Sequence, residues 1–167
     1  MTILDRGGAP RGHASIVAAA MALDVQVETV VSRSREEVAA YLFDWRNDTE
    51  WIGGISEAHV VGDGDFGVGS QVARVAKFLG KRIEYVNEVI DLDPGRRLAM
   101  RSVKGPFPMR VTYEVEDVGA STRVRLRNEG DASRAYRFAA PLLALAVRRT
   151  TQRDVGRLKR ILESRPR

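Results

Sequence analysis

A long two-faced helix placed after an unbroken run of strand patterns constrains this chain most. From Tyr136 to Leu162 the residues read as one helix. Ala144, Val147, Thr151, Val155, Leu158 and Leu162 recur at spacings of three and four. At about 100° per residue they form a single apolar stripe. Arg149, Arg153, Arg157 and Arg160 fall on the opposite side. A helix divided in this way needs an apolar surface against one face and water against the other, so the strands before it must supply that surface.

Those strands are legible from alternation and turn residues. Asp24 to Val31 is the first, with Val25, Val27, Thr29 and Val31 on one side. Ser34-Arg-Glu-Glu37 has the Ser-x-x-Glu form of a capping box and opens a short helix. A second short helix is expected through Asn47 to Trp51, stopped by Gly53-Gly54. Six strand patterns follow: Ile55–Val61, Ser70–Phe78, Lys81–Leu92, Arg97–Val103, Met109–Glu116 and Ser121–Glu129. The links between them are short, which predicts an antiparallel meander. The expected architecture is α+β: a curved seven-stranded antiparallel sheet wrapped around the C-terminal helix, with two short helices after strand 1.

Strand parity places one set of side chains inside. Ile83, Tyr85, Asn87 and Val89 lie opposite Arg82, Glu84 and Glu88; Met109, Val111, Tyr113 and Val115 lie opposite Arg110, Thr112, Glu114 and Glu116. The inward set is mainly apolar with a few polar groups, the make-up of a small-molecule site. The candidate ligand-binding residues are Arg74, Tyr85, Asn87, Met100, Met109 and Val111 on the strands, then Tyr113, Leu126 and Asn128. Ala144, Val147 and Thr151 complete the set from the helix. A cavity of about 300–1,000 Å³ is expected. In the alternative, these groups satisfy one another and the core is solid. Arg74 is the sharpest candidate, because an inward guanidinium needs an anion or several acceptors, and a ligand carboxylate, phenolate or enolate would serve. A bulge at Gly67 or Gly69 would reverse its direction.

Of the 167 residues, 44% are hydrophobic and 29% charged, so a single domain with a real core is expected. The net charge of +5 is concentrated at one end. Residues 134–167 hold ten Lys/Arg against two acids, and the rest of the chain seventeen against twenty. The basic helix face (Arg149, Arg153, Arg157, Arg160) is therefore either a solvated surface or a docking surface for an acidic partner protein. It lacks the aromatic platform of single-strand binders, so no nucleic-acid role is expected. Phe138, Leu142 and Leu145 lie beside it. They are core if Pro141 breaks the helix, and an exposed apolar lip if Pro141 sits in its first turn.

With no cysteine, disulfide and thiolate chemistry is excluded and a reducing cytoplasm is the natural setting. No run of 18 apolar residues is present, so no transmembrane segment is expected. Residues 1–23 read as a flexible leader, 24–163 as the domain and 164–167 as a tail; Met21 is a second candidate start. The histidines are His13 in the leader and His59 on an edge strand, a poor basis for a catalytic centre. Gly62-Asp-Gly-Asp65 lacks the spacing of a calcium loop, and no metal or organic cofactor is implied.

The chain resembles the START-related, Bet v 1-like (SRPBCC) superfamily with its helix-grip fold, and within it the bacterial polyketide cyclase/dehydrase branch. The likeness is carried by Ser34-Arg-Glu-Glu-Val38, Asp44, Trp51, Gly67-Val-Gly-Ser70, Glu88-Val-Ile-Asp-Leu-Asp-Pro94 with Arg97, Thr122-Arg-Val124 and the helical Asp154 to Leu162. It covers roughly residues 24–163. The resemblance implies a protein that binds a hydrophobic small molecule, polyketide-, lipid- or quinone-like, in an internal cavity. It extends to cyclase or dehydrase activity by positioning a reactive chain, with Arg74 or a tyrosine stabilising an enolate. The resemblance does not name the ligand. A monomer or homodimer is expected.

Overall fold

The structure, a computed structural model, describes residues 22–106, 108–131 and 140–166. Residues 1–21 of the expected leader, including His13 and Met21, and Tyr136 and Phe138 therefore lie outside the described residues. The first strand, β1 (Ala22–Val31), begins two residues before the expected boundary. A capping box opens α1 (Arg35–Leu42): the Ser34 hydroxyl accepts from the Glu37 N–H, and the Glu37 carboxylate accepts from the Ser34 N–H at 3.1 Å. Ser34→Ala should cost about 1 kcal/mol, readable as a lower urea midpoint.

A 3-10 turn at Trp45–Asn47 leads into the single-turn helix α2 (Asp48–Trp51). The meander then runs through β2 (Ile55–Val61), β3 (Gln71–Phe78), β4 (Lys81–Asp93), β5 (Arg97–Lys104), β6 (Met109–Val118) and β7 (Ser121–Asp131). The chain closes on α3 (Ala140–Ser164). All seven strands form one antiparallel sheet in the order β1-β7-β6-β5-β4-β3-β2, so β1 pairs with the last strand and β2 forms the other edge. The curved sheet closes around α3, which runs against β1, and the arrangement is the expected helix grip.

Register shifts occur between Ile55 and Glu57, Val86 and Asn87, and Val89 and Asp91. None interrupts β3, so its alternation holds and Arg74 faces inward. Gly67 and Gly69 instead form the turn into β3, where Gly69 sits at φ +91 and its N–H donates to Val89 O at 2.8 Å.

The way α3 packs creates the site. Its second half fills its side of the core: Val155, Leu158 and Leu162 are buried against Val31, Val38, Leu42, Trp51 and Val124. Leu158 is fully enclosed, worth about 1.5–3 kcal/mol in transfer terms. The first half offers mostly small side chains on the same side, Ala144, Val147 and Thr150, all half-buried, with Leu143 half-buried beside them. Small side chains over a concave sheet leave space. Pro141 falls in the first turn of α3, and Leu142 and Leu145 are 72% and 44% exposed, so the apolar-lip alternative holds for those two.

Candidate functional site

Beneath the first half of α3 lies a cavity of about 190 Å³, smaller than the 300–1,000 Å³ expected. The space is narrowed by side chains that the candidate set did not include. Trp51 and Ile52 from the end of α2, Ile55 from β2, and Phe78 and Ile83 from the β3–β4 hairpin all line it. Of the candidate residues, Arg74, Tyr85, Asn87, Met109, Val111, Tyr113, Leu126, Asn128, Val147 and Thr151 line the cavity. Met100 and Ala144 do not. Met100 is buried, its sulfur 3.8 Å from Arg74 Nη2.

Arg74 has a partner that the sequence pattern does not supply. Asp48, the first residue of α2, is buried, and its Oδ2 accepts from Arg74 Nε at 2.7 Å and lies 2.7 Å from Nη2. The charge on the guanidinium is therefore compensated from within the chain. Burial pulls the Arg74 pKa down, but Asp48 and the two nearby tyrosines raise it further, so Arg74 remains a cation. Its Nη1 has no hydrogen-bond partner among the described residues.

Tyr85 and Tyr113 complete this wall. Burial pushes both phenols up, with Asp48 adding to the effect and Arg74 opposing it, so each keeps its proton and its O–H is a donor. The Tyr113 ring meets the Trp51 indole edge-on, centroids 5.9 Å apart at 70°. Tyr85, Tyr113 and the buried Asn87 make no side-chain hydrogen bond among the described residues. On the opposite wall the polar groups satisfy one another: Asn128 Nδ2 donates to Thr151 Oγ1 at 3.2 Å, and Thr151 Oγ1 donates to Val147 O at 2.9 Å. This pair ties β7 to α3.

Asp154 lies at the α2 end of the cavity and accepts from the Gly53 N–H at 2.9 Å. Burial raises its pKa, and the Gly53 bond and two arginines only partly offset that. A raised folded-state value adds stability that is complete below the unfolded value of 3.8 and is lost as pH rises through the folded one. Asp154→Asn should therefore steepen the acid limb of a plot of urea midpoint against pH, the variant gaining on the wild type as pH rises through the folded value.

The remaining candidates sit on the surface. Arg149, Arg153, Arg157 and Arg160 are exposed, and none forms an ion pair among the described residues. His59 is exposed on the edge strand β2. Trp45 is half-buried with the Arg46 guanidinium 5.0 Å above its ring, and Arg165 of the expected tail packs over Tyr41 at 4.3 Å. Among the described residues there is no cluster of metal-ligating side chains and no helix long and apolar enough to cross a membrane.

The fold matches known structures. The Zhui aromatase/cyclase of Streptomyces sp. R1128 superposes with a TM-score of 0.74 at 18% identity, covering 87% of this chain and 96% of that one. A START superfamily protein of Mycobacterium smegmatis gives 0.73 at 14%, covering 84% and 97%. A protein of Thermus thermophilus gives 0.73 at 18%, covering 83% and 96%. No curated protein matches the chain. At these identities the neighbours establish the helix-grip fold. The sequence profile of one family goes further, matching residues 22–163, from the first strand through nearly all of α3. The chain thus belongs to the polyketide cyclase/dehydrase and lipid transport family.

Proposed function

We propose that this protein binds a compact hydrophobic small molecule, polyketide-, lipid- or quinone-like, in the cavity beneath α3. One observation carries the reading. The wall is mainly apolar, yet it presents the Arg74 guanidinium, whose buried Nη1 has no hydrogen-bond partner among the described residues, beside the side chains of Tyr85, Asn87 and Tyr113. Buried polar groups left without partners are costly, and a ligand oxygen at that wall would relieve the cost. The small volume favours a compact ligand, or a longer one whose tail leaves the cavity past the exposed Lys77 and Pro106. If the ligand is a reactive polyketide chain, the cavity would hold it bent for ring closure. Arg74 and a tyrosine O–H would then face the developing enolate oxygen.

A thermal-shift panel of polyketides, quinones and fatty acids tests this. A ligand at a hundred times its Kd should stabilise by about 2.7 kcal/mol, raising Tm by roughly 5–10 °C. Val111→Trp, which fills the cavity, should remove the shift while its own melt shows that it folds. No shift with any class would count against a ligand site.

The unpaired basic face favours a second reading, docking of an acidic partner protein through Arg149, Arg153, Arg157 and Arg160. Reversing Arg153, Arg157 and Arg160 to Glu should abolish partner capture and leave the thermal shifts intact.

A further inference from the structure

One end of the cavity is bordered by three separate chain segments. They are the β3–β4 hairpin (Lys77, Phe78, Ile83), the β5–β6 link (Gly105, Pro106) and the first half of α3 (Val147, Thr150). Each carries apolar side chains into solvent. Leu79 at the hairpin tip is 70% exposed, and Leu142 and Leu145 are exposed at the start of α3. Val103, near the end of β5, and Pro106, on the link, are exposed.

Leu79 is the least expected of these. With Gly80 it forms the two-residue hairpin loop, and both residues have positive φ, +48 and +80. That is the pattern in which Asn-Gly is favoured and a leucine is strained. It is the one non-glycine residue at positive φ among the described residues. The chain thus holds a leucine where both backbone geometry and hydration disfavour it.

The exposed charges on the hairpin and the β5–β6 link that form no ion pair are lysines. Lys77, Lys81 and Lys104 are exposed there, while the nearby Arg82 and Glu84 neutralise each other in an ion pair. Isolated apolar tips within a basic ring fit a fluid, negatively charged interface. They offer no continuous groove or face on which a folded protein would pack.

We propose that this end of the protein docks on an anionic lipid bilayer. Leu79, Pro106, Leu142 and Leu145 enter the interface, the three lysines meet lipid phosphates, and the cavity opens toward the membrane. This surface acts independently of what the cavity holds.

Flotation of the full chain with phosphatidylcholine vesicles, with and without phosphatidylserine, tests the proposal. Binding should require phosphatidylserine and fall with added salt. Leu79→Asn should keep or raise Tm, because Asn suits the turn, while weakening vesicle binding about tenfold. Leu142→Gln should weaken it further, and Lys77→Gln and Lys81→Gln about fivefold each. Val111→Trp should leave vesicle binding unchanged, which separates this result from the fate of the cavity proposal. Absence of binding to anionic vesicles, or binding unaffected by Leu79→Asn, would overturn the proposal. So would retention on poly-glutamate beads without vesicle binding, which would assign the surface to an acidic protein.

Discussion

Asp48→Ala is expected to destabilise the fold by about 3–5 kcal/mol, the cost of leaving a buried charge uncompensated. For a domain of this size that is a fall in Tm of roughly 6–20 °C. The reason is local. The Arg74 side chain is 4% exposed and its ion-pair partner is the Asp48 carboxylate at 2.7 Å. Its other contact, the Met100 sulfur, is a weak acceptor and carries no charge. The double variant Asp48→Leu with Arg74→Met removes both charges and keeps the volume apolar, so most of the lost stability should return. It should also lose any binding that depends on the guanidinium. Circular dichroism melts of the three proteins check the first claim. An Asp48→Ala variant as stable as the wild type would show that the ion pair is not what holds Arg74 in place.

Trp51→Ala is expected to cost about 3–5 kcal/mol, as for other large-to-small core changes. Trp51 is 1% exposed, sits in the main core cluster and packs edge-on against Tyr113. Its Nε1 has no partner among the described residues, so Trp51→Phe gives up no hydrogen bond there and should cost far less. Because Trp51 also lines the cavity, the alanine variant should gain volume where a ligand would sit. The expected outcome is a less stable protein that binds a fused-ring probe such as anilinonaphthalene sulfonate more tightly. Denaturant titration measures the first effect, and a fluorescence titration the second.

The strands are legible in the sequence because alternation and turn residues are local signals. Asp93-Pro-Gly95 ends β4 as expected, and the Gly69–Ser70 entry into β3 lies within one residue of its expected place. Parity orients Arg74 correctly because the three register shifts lie on β2, β4 and β5 rather than β3. Parity does not reveal Asp48 as its partner. That residue stands on a helix of four residues, too short to show a periodic face, and meets β3 only through tertiary packing. Asn128 and Thr151 both belong to the ligand-facing candidates, and composition alone does not show that they bond each other. The cavity's volume is also beyond the pattern. It depends on how far Trp51, Phe78 and Ile83 intrude, and they enter from a helix end and a hairpin rather than from the middle of a strand.

Native mass spectrometry of the protein, titrated with quinones, polyketides and fatty acids, asks most directly whether the space under α3 is a binding site. The expected result is a one-to-one complex with at least one of these classes for the wild type, and bare protein for a folded Val111→Trp variant. Bare wild-type protein across the whole panel, or complexes that persist equally when the cavity is filled, would contradict the account.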